Sequence, residues 1–227
     1  MKARDVMVTN VITVSPELDV KTVARLMVAN GISAVPVTDE SFNVIGIVSE
    51  GDLLHRPEIK TERKQPWWLE MLMSDQGSAI DFVKSHARQA KDVMARNVIT
   101  ADAETSLQEI AGVLEKNGIK RVPILEQGKL VGIVSRANII QAFASLSDTM
   151  ELHANDEQLR RKILDDLSRQ PWGKRPVNVL VKGGVAELWG VVPNADEKDA
   201  IRVAVESTAG IVAVRDNLRI LRLESMG

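Results

Sequence analysis

The sequence predicts an α+β protein that contains two similar β-α-β-β-α units and a smaller C-terminal α-β-β-α-β domain. Three segments recur in the same order and at a nearly constant offset, which indicates an internal duplication. The pairs are ARDVMVTNVITV (3–14) with AKDVMARNVITA (90–101), NGISAVPVTDE (30–40) with NGIKRVPILEQ (117–127), and GIVSEGD (46–52) with GIVSRAN (132–138). After the second copy, the hydrophobic pattern changes to that of a separate small domain.

Length and composition are those of a soluble globular protein with one large domain or two to three compact ones. The 227 residues are 44% hydrophobic and 26% charged, with a net charge of −2 and no cysteine. A chain without a basic excess is not expected to bind a nucleic-acid polymer, and the lack of cysteine excludes disulfides and thiolate metal sites. The N-terminal stretch lacks the apolar core of a signal peptide, and no run reaches the ~20 apolar residues of a membrane span. We therefore expect a cytoplasmic protein.

Each copy of the repeat gives the same order of elements. A strand ending in N-V-I-T, at Thr13 or Thr100, is followed by an amphipathic helix that stops at an N-G pair, since glycine favours a helix C-terminus. Two short strands rich in valine and isoleucine follow, and a last helix begins after the G-I-V-S sequence. The expected elements are a helix over 18–30 with strands over 33–38 and 44–49, and a helix over 106–117 with strands over 121–125 and 130–135.

An insert over residues 57–89 separates the two copies. Its PWWLEMLM sequence places proline at the first turn of a predicted helix, with apolar faces at Trp67, Trp68, Met71 and Leu72 and at Ile80, Phe82 and Val83. We expect a helical hairpin packed on the repeats or on a second subunit. A lipid-facing helix is the alternative, although Glu70 and Asp75 disfavour it.

The three repeated motifs resemble those of the CBS domain family. DVM...NVITV, NGI..VPV and GIVS..D occur twice in order, over about residues 1 to 147, as in the tandem pairs called Bateman modules. The resemblance implies one repeat over 1–56 and another over 90–147, packed about a pseudo-twofold axis with two clefts between their sheets. It also implies association into a homodimer.

The tail over 151–223 resembles a BON domain. The matching sequences are GVAELWGVV and GIVAVRDNL, and Gly183-Gly184 suits a hairpin turn that needs positive φ. BON domains are associated with phospholipid or envelope contact, which this resemblance extends to the tail.

The CBS resemblance assigns a nucleotide site to the repeated turn. In CBS pairs the aspartate of the G-h-h-S/T-x-x-D motif accepts the ribose hydroxyls and the serine lies near the phosphates, which here designates Asp52 and Ser49. The alternative is a helix capping box with no ligand. An ionised carboxylate offers two acceptors to a diol whereas an amide offers one, so Asp52 should bind ribose better than Asn138.

The resemblance also assigns phosphate binding to Lys120 and Arg121, whose counterparts in the first copy are Ser33 and Ala34. The alternative is that both cations are solvated or pair with Glu115 and Glu126. Thr100 and Thr13 correspond to a threonine that lines the cleft in the family, unless each only satisfies its own backbone. The expected nucleotide-binding residues are Asp52, Ser49, Lys120, Arg121, Thr100, Ser33 and Ala34, and those of a weaker second cleft are Asn138, Ser135 and Thr13.

These observations favour a regulatory protein over an enzyme. His55, His86 and His153 lie apart without metal-ligand spacing, and no nucleophile elbow or phosphate loop is present. We expect no catalytic cofactor and no metal. The leading hypothesis is a sensor of AMP, ADP, ATP or a related adenosyl compound that signals through the tail; the alternative is a dimeric scaffold whose tail contacts an envelope component or protein partner.

Overall fold

A computed structural model describes residues 1–54, 88–145 and 154–221. The insert, including both of its expected apolar faces, and the three histidines lie outside this description. The elements in chain order are α1 (Ala3–Val6), α2 (Val20–Asn30), β1 (Ala34–Thr38), β2 (Val44–Ser49), α3 (Glu50–Leu53), α4 (Ala90–Val93), β3 (Ala101–Asp102), α5 (Leu107–Lys116), β4 (Arg121–Glu126), β5 (Lys129–Ser135), α6 (Arg136–Ala144), α7 (Ala154–Ser168), β6 (Asn178–Lys182), β7 (Val185–Val192), α8 (Ala195–Glu206) and β8 (Ala213–Ile220).

The chain forms two compact units whose boundaries differ from those of the sequence repeats. The small unit is Ile12–Val98, and the large unit combines Met1–Val11 with Ile99–Gly227. The opening segment of each repeat, which contains the D-V-M sequence, therefore belongs to the unit that holds the rest of the other repeat.

The small unit is built on the antiparallel pair of β1 and β2, in which Ala34 lies opposite Ser49. Helix α2 begins at Asp19, whose carboxylate accepts a hydrogen bond from the Thr22 amide at 3.0 Å, and it ends at Gly31, which has a φ of 61°. This is the left-handed C-terminus expected from the N-G pair. The buried core contains Val14, Val20, Val23, Met27, Val35, Val37, Val48, Ala90, Val93 and Met94.

The part of the second repeat that belongs to the large unit forms a three-stranded sheet in the order β3-β4-β5. Strand β3 runs parallel to β4, and β4 runs antiparallel to β5. Helix α5 starts with a capping box in which the Ser106 hydroxyl accepts from the Glu109 amide at 3.2 Å and the Ser106 amide donates to the Glu109 carboxylate at 3.1 Å. The apolar side of α5 then packs Ile110 and Leu114 into the core.

A methionine from each opening segment packs on the glycine of a G-I-V-S strand. Met7 lies on Gly132 in the large unit and Met94 lies on Gly46 in the small unit. A methyl group added at Gly132 would stand 2.5 Å from the Met7 sulfur, far inside van der Waals contact. The repeated motifs D-V-M and G-I-V-S are thus complementary surfaces, and each pair joins the two copies.

The C-terminal domain, residues 154–221, also belongs to the large unit. Its sheet has the order β6-β7-β8, with β6 antiparallel and β8 parallel to β7. Gly183 and Gly184 form the β6–β7 turn with φ values of 56° and 73°, and their amides donate to the Asp156 carboxylate at 2.9 and 3.0 Å. Helices α7 and α8 cover the sheet with a separate buried core that includes Ile163, Leu188 and Ile201.

The α+β class is confirmed, as is the order of the helices and strands that follow each N-V-I-T sequence and of those in the C-terminal domain. The expectation that the N-V-I-T sequences themselves form strands is wrong, because the extended pairing begins one residue after each of them. The first copy has only a single bridge, between Val14 and Val37, and the strand of the second copy begins at Ala101, one residue after Thr100. Both opening segments contain a short helix, α1 or α4, which was not expected from the repeat pattern.

Candidate functional site

The turn of the first repeat brings four of the predicted nucleotide-binding residues together within the small unit. Asp52 Oδ2 accepts hydrogen bonds from the Ser49 amide at 3.0 Å and the Ser49 hydroxyl at 2.7 Å. Ala34 is paired with Ser49 across the sheet, and the Ser33 carbonyl accepts from the Glu50 amide at 3.0 Å. The Asp52 carboxylate is half-buried and is held at the end of β2.

The turn of the second repeat has the same backbone but a different polar group. Arg121 is paired with Ser135, and the Lys120 carbonyl accepts from the Arg136 amide at 3.0 Å. Lys120 is exposed and Arg121 is half-buried. Glu126, proposed above as an alternative partner of these cations, pairs with Arg4 at 3.6 Å.

Asn138 replaces the aspartate in this second turn, and its side chain is 6% exposed. Asn138 Oδ1 accepts from the Ser135 amide at 2.8 Å and from the Ser135 hydroxyl at 2.6 Å. The side-chain nitrogen, Nδ2, donates to Gln141 Oε1 at 3.3 Å. Every polar atom of the Asn138 side chain is therefore occupied by the protein itself.

The predicted site residues are divided between the two units. Asp52, Ser49, Ser33, Ala34 and Thr13 belong to the small unit, whereas Lys120, Arg121, Thr100, Ser135 and Asn138 belong to the large unit. Thr13 is half-buried and Thr100 is exposed.

An open apolar groove of about 520 Å³ lies in the small unit beside the first turn. It is lined by residues of α2, the Gly31–Ser33 connection and α3. Val28 and Leu54, on its two sides, are 66% and 57% exposed. The large unit also exposes two apolar side chains on α6, Ile140 at 64% and Phe143 at 72%.

Arg160 of α7 is a buried charge that was not among the expected functional residues. Its guanidinium donates to the Met7 carbonyl at 2.6 Å and to the Val179 carbonyl at 2.7 Å, and burial lowers the pKa of Arg160 to about 10. It thereby joins the opening segment, α7 and β6 within the large unit. Helical spacing places Arg160 on the same face as Ile163, Leu164 and Leu167, and this is the signal in the sequence that indicates its burial.

Residues 1–54, 88–145 and 154–221 contain neither a cluster of metal ligands nor a helix that could span a membrane. No group of three histidine, aspartate or glutamate side chains in these ranges is arranged to hold a metal ion. The same ranges contain no helix that is both long and apolar enough to cross a membrane.

Comparisons with known proteins match the repeats and the tail separately. The CBS domain profile matches residues 3–58 and 90–145, and the BON domain profile matches residues 155–222. Uncharacterized protein MJ1426 of Methanocaldococcus jannaschii is 30% identical over 144 residues, covering 58% of this chain and 84% of that protein. The chloroplastic CBS domain-containing protein CBSX1 of Arabidopsis thaliana is 28% identical over 144 residues, covering 57% of each chain.

A solved structure shares the fold of the repeats. The crystal structure of CBSX2 in complex with AMP has a TM-score of 0.56 and 23% sequence identity, and the match covers 64% of this chain and 98% of that chain. The two profile matches and the 30% identity to MJ1426 show that the chain belongs to the CBS domain family and carries a tandem CBS pair followed by a BON domain.

Proposed function

We propose that this protein is a regulatory, non-enzymatic sensor of an adenosyl ligand such as AMP, ADP, ATP or a related compound. The observation that carries the proposal is the first turn, where Asp52 is fixed by Ser49 next to Ser33 and Ala34. The AMP complex of the similarly folded CBSX2 supports an adenine nucleotide as the ligand class. Asp52 would accept the ribose hydroxyls in charge-assisted hydrogen bonds, which contribute about 1.5 to 3 kcal/mol each.

Lys120 and Arg121 would bind the phosphates of the same ligand, as the family resemblance implies. Both stand next to the second turn, at the start of β4. Asn138 accepts from Ser135 and donates to Gln141, which supports a single dominant site per chain. Thr100 would line this site, and Thr13 the weaker one.

Calorimetry with AMP, ADP, ATP and S-adenosylmethionine tests this function. We expect one dominant site per chain in the parent protein and at least about tenfold weaker binding in Asp52→Ala, since that variant loses one or two charge-assisted hydrogen bonds. Glu40→Ala is the matched control because it removes an exposed carboxylate of the same unit. Equal binding by Asp52→Ala and the parent would contradict the proposal, and no binding by the parent would favour the scaffold alternative.

We also propose that ligand binding is relayed through the BON domain. The relay is supported by the contacts of α6, which follows the second turn directly. Gln141 accepts from Asn178 of β6 at 2.9 Å, and the Ser145 hydroxyl donates to Glu187 of β7 at 2.6 Å. Leu180 of β6 is buried in the core of the second repeat, so a shift of α6 would also displace the BON sheet. A ligand can drive such a shift only if it binds the two arrangements differently.

The exposed apolar side chains support a homodimer. Val28 and Leu54 flank the open apolar groove of the small unit, and Ile140 and Phe143 are exposed within one turn of α6. Contiguous exposed apolar side chains often mark a protein interface. Light scattering at micromolar concentration should give twice the monomer mass. The contact of the BON domain with an envelope component or phospholipid stays a proposal that vesicle co-sedimentation would test.

A further inference from the structure

A chain of side-chain amides connects the second turn to the BON domain. The Ser135 amide and hydroxyl fix the oxygen of Asn138, so its Nδ2 is directed at Gln141. The same Gln141 Oε1 that accepts from Asn138 also accepts from Asn178 Nδ2 at 2.9 Å. Asn178 is the first residue of β6, so the chain runs from the cap of α6 into the BON sheet.

The cap of α6 sets which atom each amide of this series presents to the next, because Ser135 fixes the oxygen of Asn138. Because Asn138 and Asn178 both present NH₂ groups, Gln141 must present its oxygen to both. Asn138 and Asn178 are 6% and 3% exposed, and a buried polar group without a partner costs about 1 to 3 kcal/mol. Asn178 Oδ1 has no hydrogen-bond partner among the described residues, so Gln141 is the acceptor on which this buried side chain depends.

The first repeat has no counterpart of this arrangement in its sequence. Its turn carries Asp52 at the position of Asn138, and α3 ends at Leu53, whereas α6 is five residues longer, ends at Ala144 and supplies Gln141. The change from aspartate to asparagine thus coincides with the presence of a helix that contacts the BON domain.

We infer that Asn138, Gln141 and Asn178 are positioning residues that fix the BON domain on the turn of the second repeat. Asparagine at 138 serves this contact, and the second turn has exchanged ligand binding for attachment of the tail. The inference deepens the relay part of the proposed function, because the attached turn is the one whose neighbours, Lys120 and Arg121, are proposed to bind phosphate.

Hydrogen exchange on the full-length protein without ligand tests the attachment. Gln141→Leu keeps the size of the side chain and removes the acceptor, so amides of residues 178–192 should exchange at least about tenfold faster. Gln141→Glu keeps an acceptor for both NH₂ groups and should restore exchange to within about threefold of the parent. Gln108→Leu, at an exposed glutamine of α5, is the matched control.

Two results would overturn the inference. One is parent-like exchange of residues 178–192 in Gln141→Leu, and the other is Gln141→Glu exchanging as fast as Gln141→Leu. If the side chain at position 141 only filled space, Gln141→Leu and Gln141→Glu would have similar effects on exchange.

A double variant tests whether Gln141 is the acceptor and Asn138 the donor in this series of hydrogen bonds. In Asn138→Asp alone, Gln141 can turn its Nε2 toward the new carboxylate only by withdrawing Oε1 from Asn178, so exchange should rise by about tenfold, as in Gln141→Leu. In Asn138→Asp combined with Gln141→Glu, two carboxylates would face each other, and exchange should exceed the product of the two single effects by about tenfold or more. Additive effects would contradict the proposed geometry.

Addition of AMP separates this inference from the proposed function. If the parent binds AMP, its exchange in residues 178–192 should change on binding, and Gln141→Leu should bind AMP without that change. Equal AMP-induced changes in both proteins would overturn the role of Gln141 in the relay. If the parent binds no adenosyl compound, the proposed function fails, while the ligand-free experiments still decide the attachment.

Discussion

The contact between Met7 and Gly132 predicts that alanine at position 132 destabilises the large unit. An added methyl group would stand 2.5 Å from Sδ, 2.7 Å from Cγ and 3.1 Å from Cβ of Met7. Rotation of the thioether could relieve the first two contacts, but the third involves an atom fixed to the backbone of the opening segment. Overpacking of this kind costs about 1 to 3 kcal/mol, which we expect as the loss in free energy of unfolding.

Gly112→Ala is the matched control, because a methyl group there meets no atom within 4 Å. Gly112 lies inside α5, where alanine is favoured over glycine by about 0.5 to 1 kcal/mol. The same substitution should therefore stabilise at one position and destabilise at the other. Denaturant unfolding of the full chain, with hydrogen exchange of β5 as a local probe, measures both.

The origin of the effect can be tested by making room for the methyl group. Met7→Ala removes Sδ and Cγ, at a cost of about 2 to 5 kcal/mol by itself, and keeps only the Cβ contact at 3.1 Å, so Gly132→Ala should cost clearly less in that background than in the parent. A loss in Gly132→Ala that is unchanged by Met7→Ala would refute the packing explanation, as would a Gly132→Ala protein as stable as Gly112→Ala.

Three further predictions follow from the site and the surface. Arg121→Ala should weaken ATP binding more than AMP binding by about tenfold in calorimetry, since charge-assisted bonds multiply with phosphate number; equal losses would contradict a phosphate contact. Arg160→Ala leaves the Met7 and Val179 carbonyls without this donor and should lower the stability of the large unit by about 2 kcal/mol in denaturant unfolding, with parent-like stability as the contrary result. Phe143→Glu, at a 72% exposed position, should give the monomer mass by light scattering with parent-like thermal stability; an unchanged dimer would exclude this face.

The sequence was sufficient for the elements within each repeat because their signals are local. The N-G pairs at the helix ends and the alternation of valine and isoleucine in the strands depend only on nearby residues, and the observed bounds agree within two residues for most elements, such as Val20–Asn30 for α2. The N-V-I-T segments were misplaced because their alternating pattern is the same in a strand and in an extended segment held by a single bridge, as at Val14.

The pairing of the opening segments could not be predicted, because the duplication makes both choices equivalent at the level of sequence. Met7 could pack on Gly46 or on Gly132, since both glycines lie in the same G-I-V-S context. A sequence read repeat by repeat assigns Met7 to its own copy, whereas the structure packs it on Gly132 of the other. The choice depends on how the chain connects the copies, which local patterns do not contain.

The difference between Asp52 and Asn138 shows the same limit at the level of single atoms. From the chemistry of the two side chains alone, replacing aspartate by asparagine indicates a weakened ligand site, because an amide has one acceptor where a carboxylate has two. In the structure the second half of the Asn138 amide is a donor with a definite partner, Gln141, and that partner is shared with Asn178. An aspartate at 138 could not donate to the oxygen that Asn178 needs. The two turns have the same backbone but different polar groups, because the second turn is attached to the BON domain through Asn138 and Gln141. Asparagine at position 138 removes a ribose acceptor and at the same time provides the hydrogen-bond donor that this attachment requires.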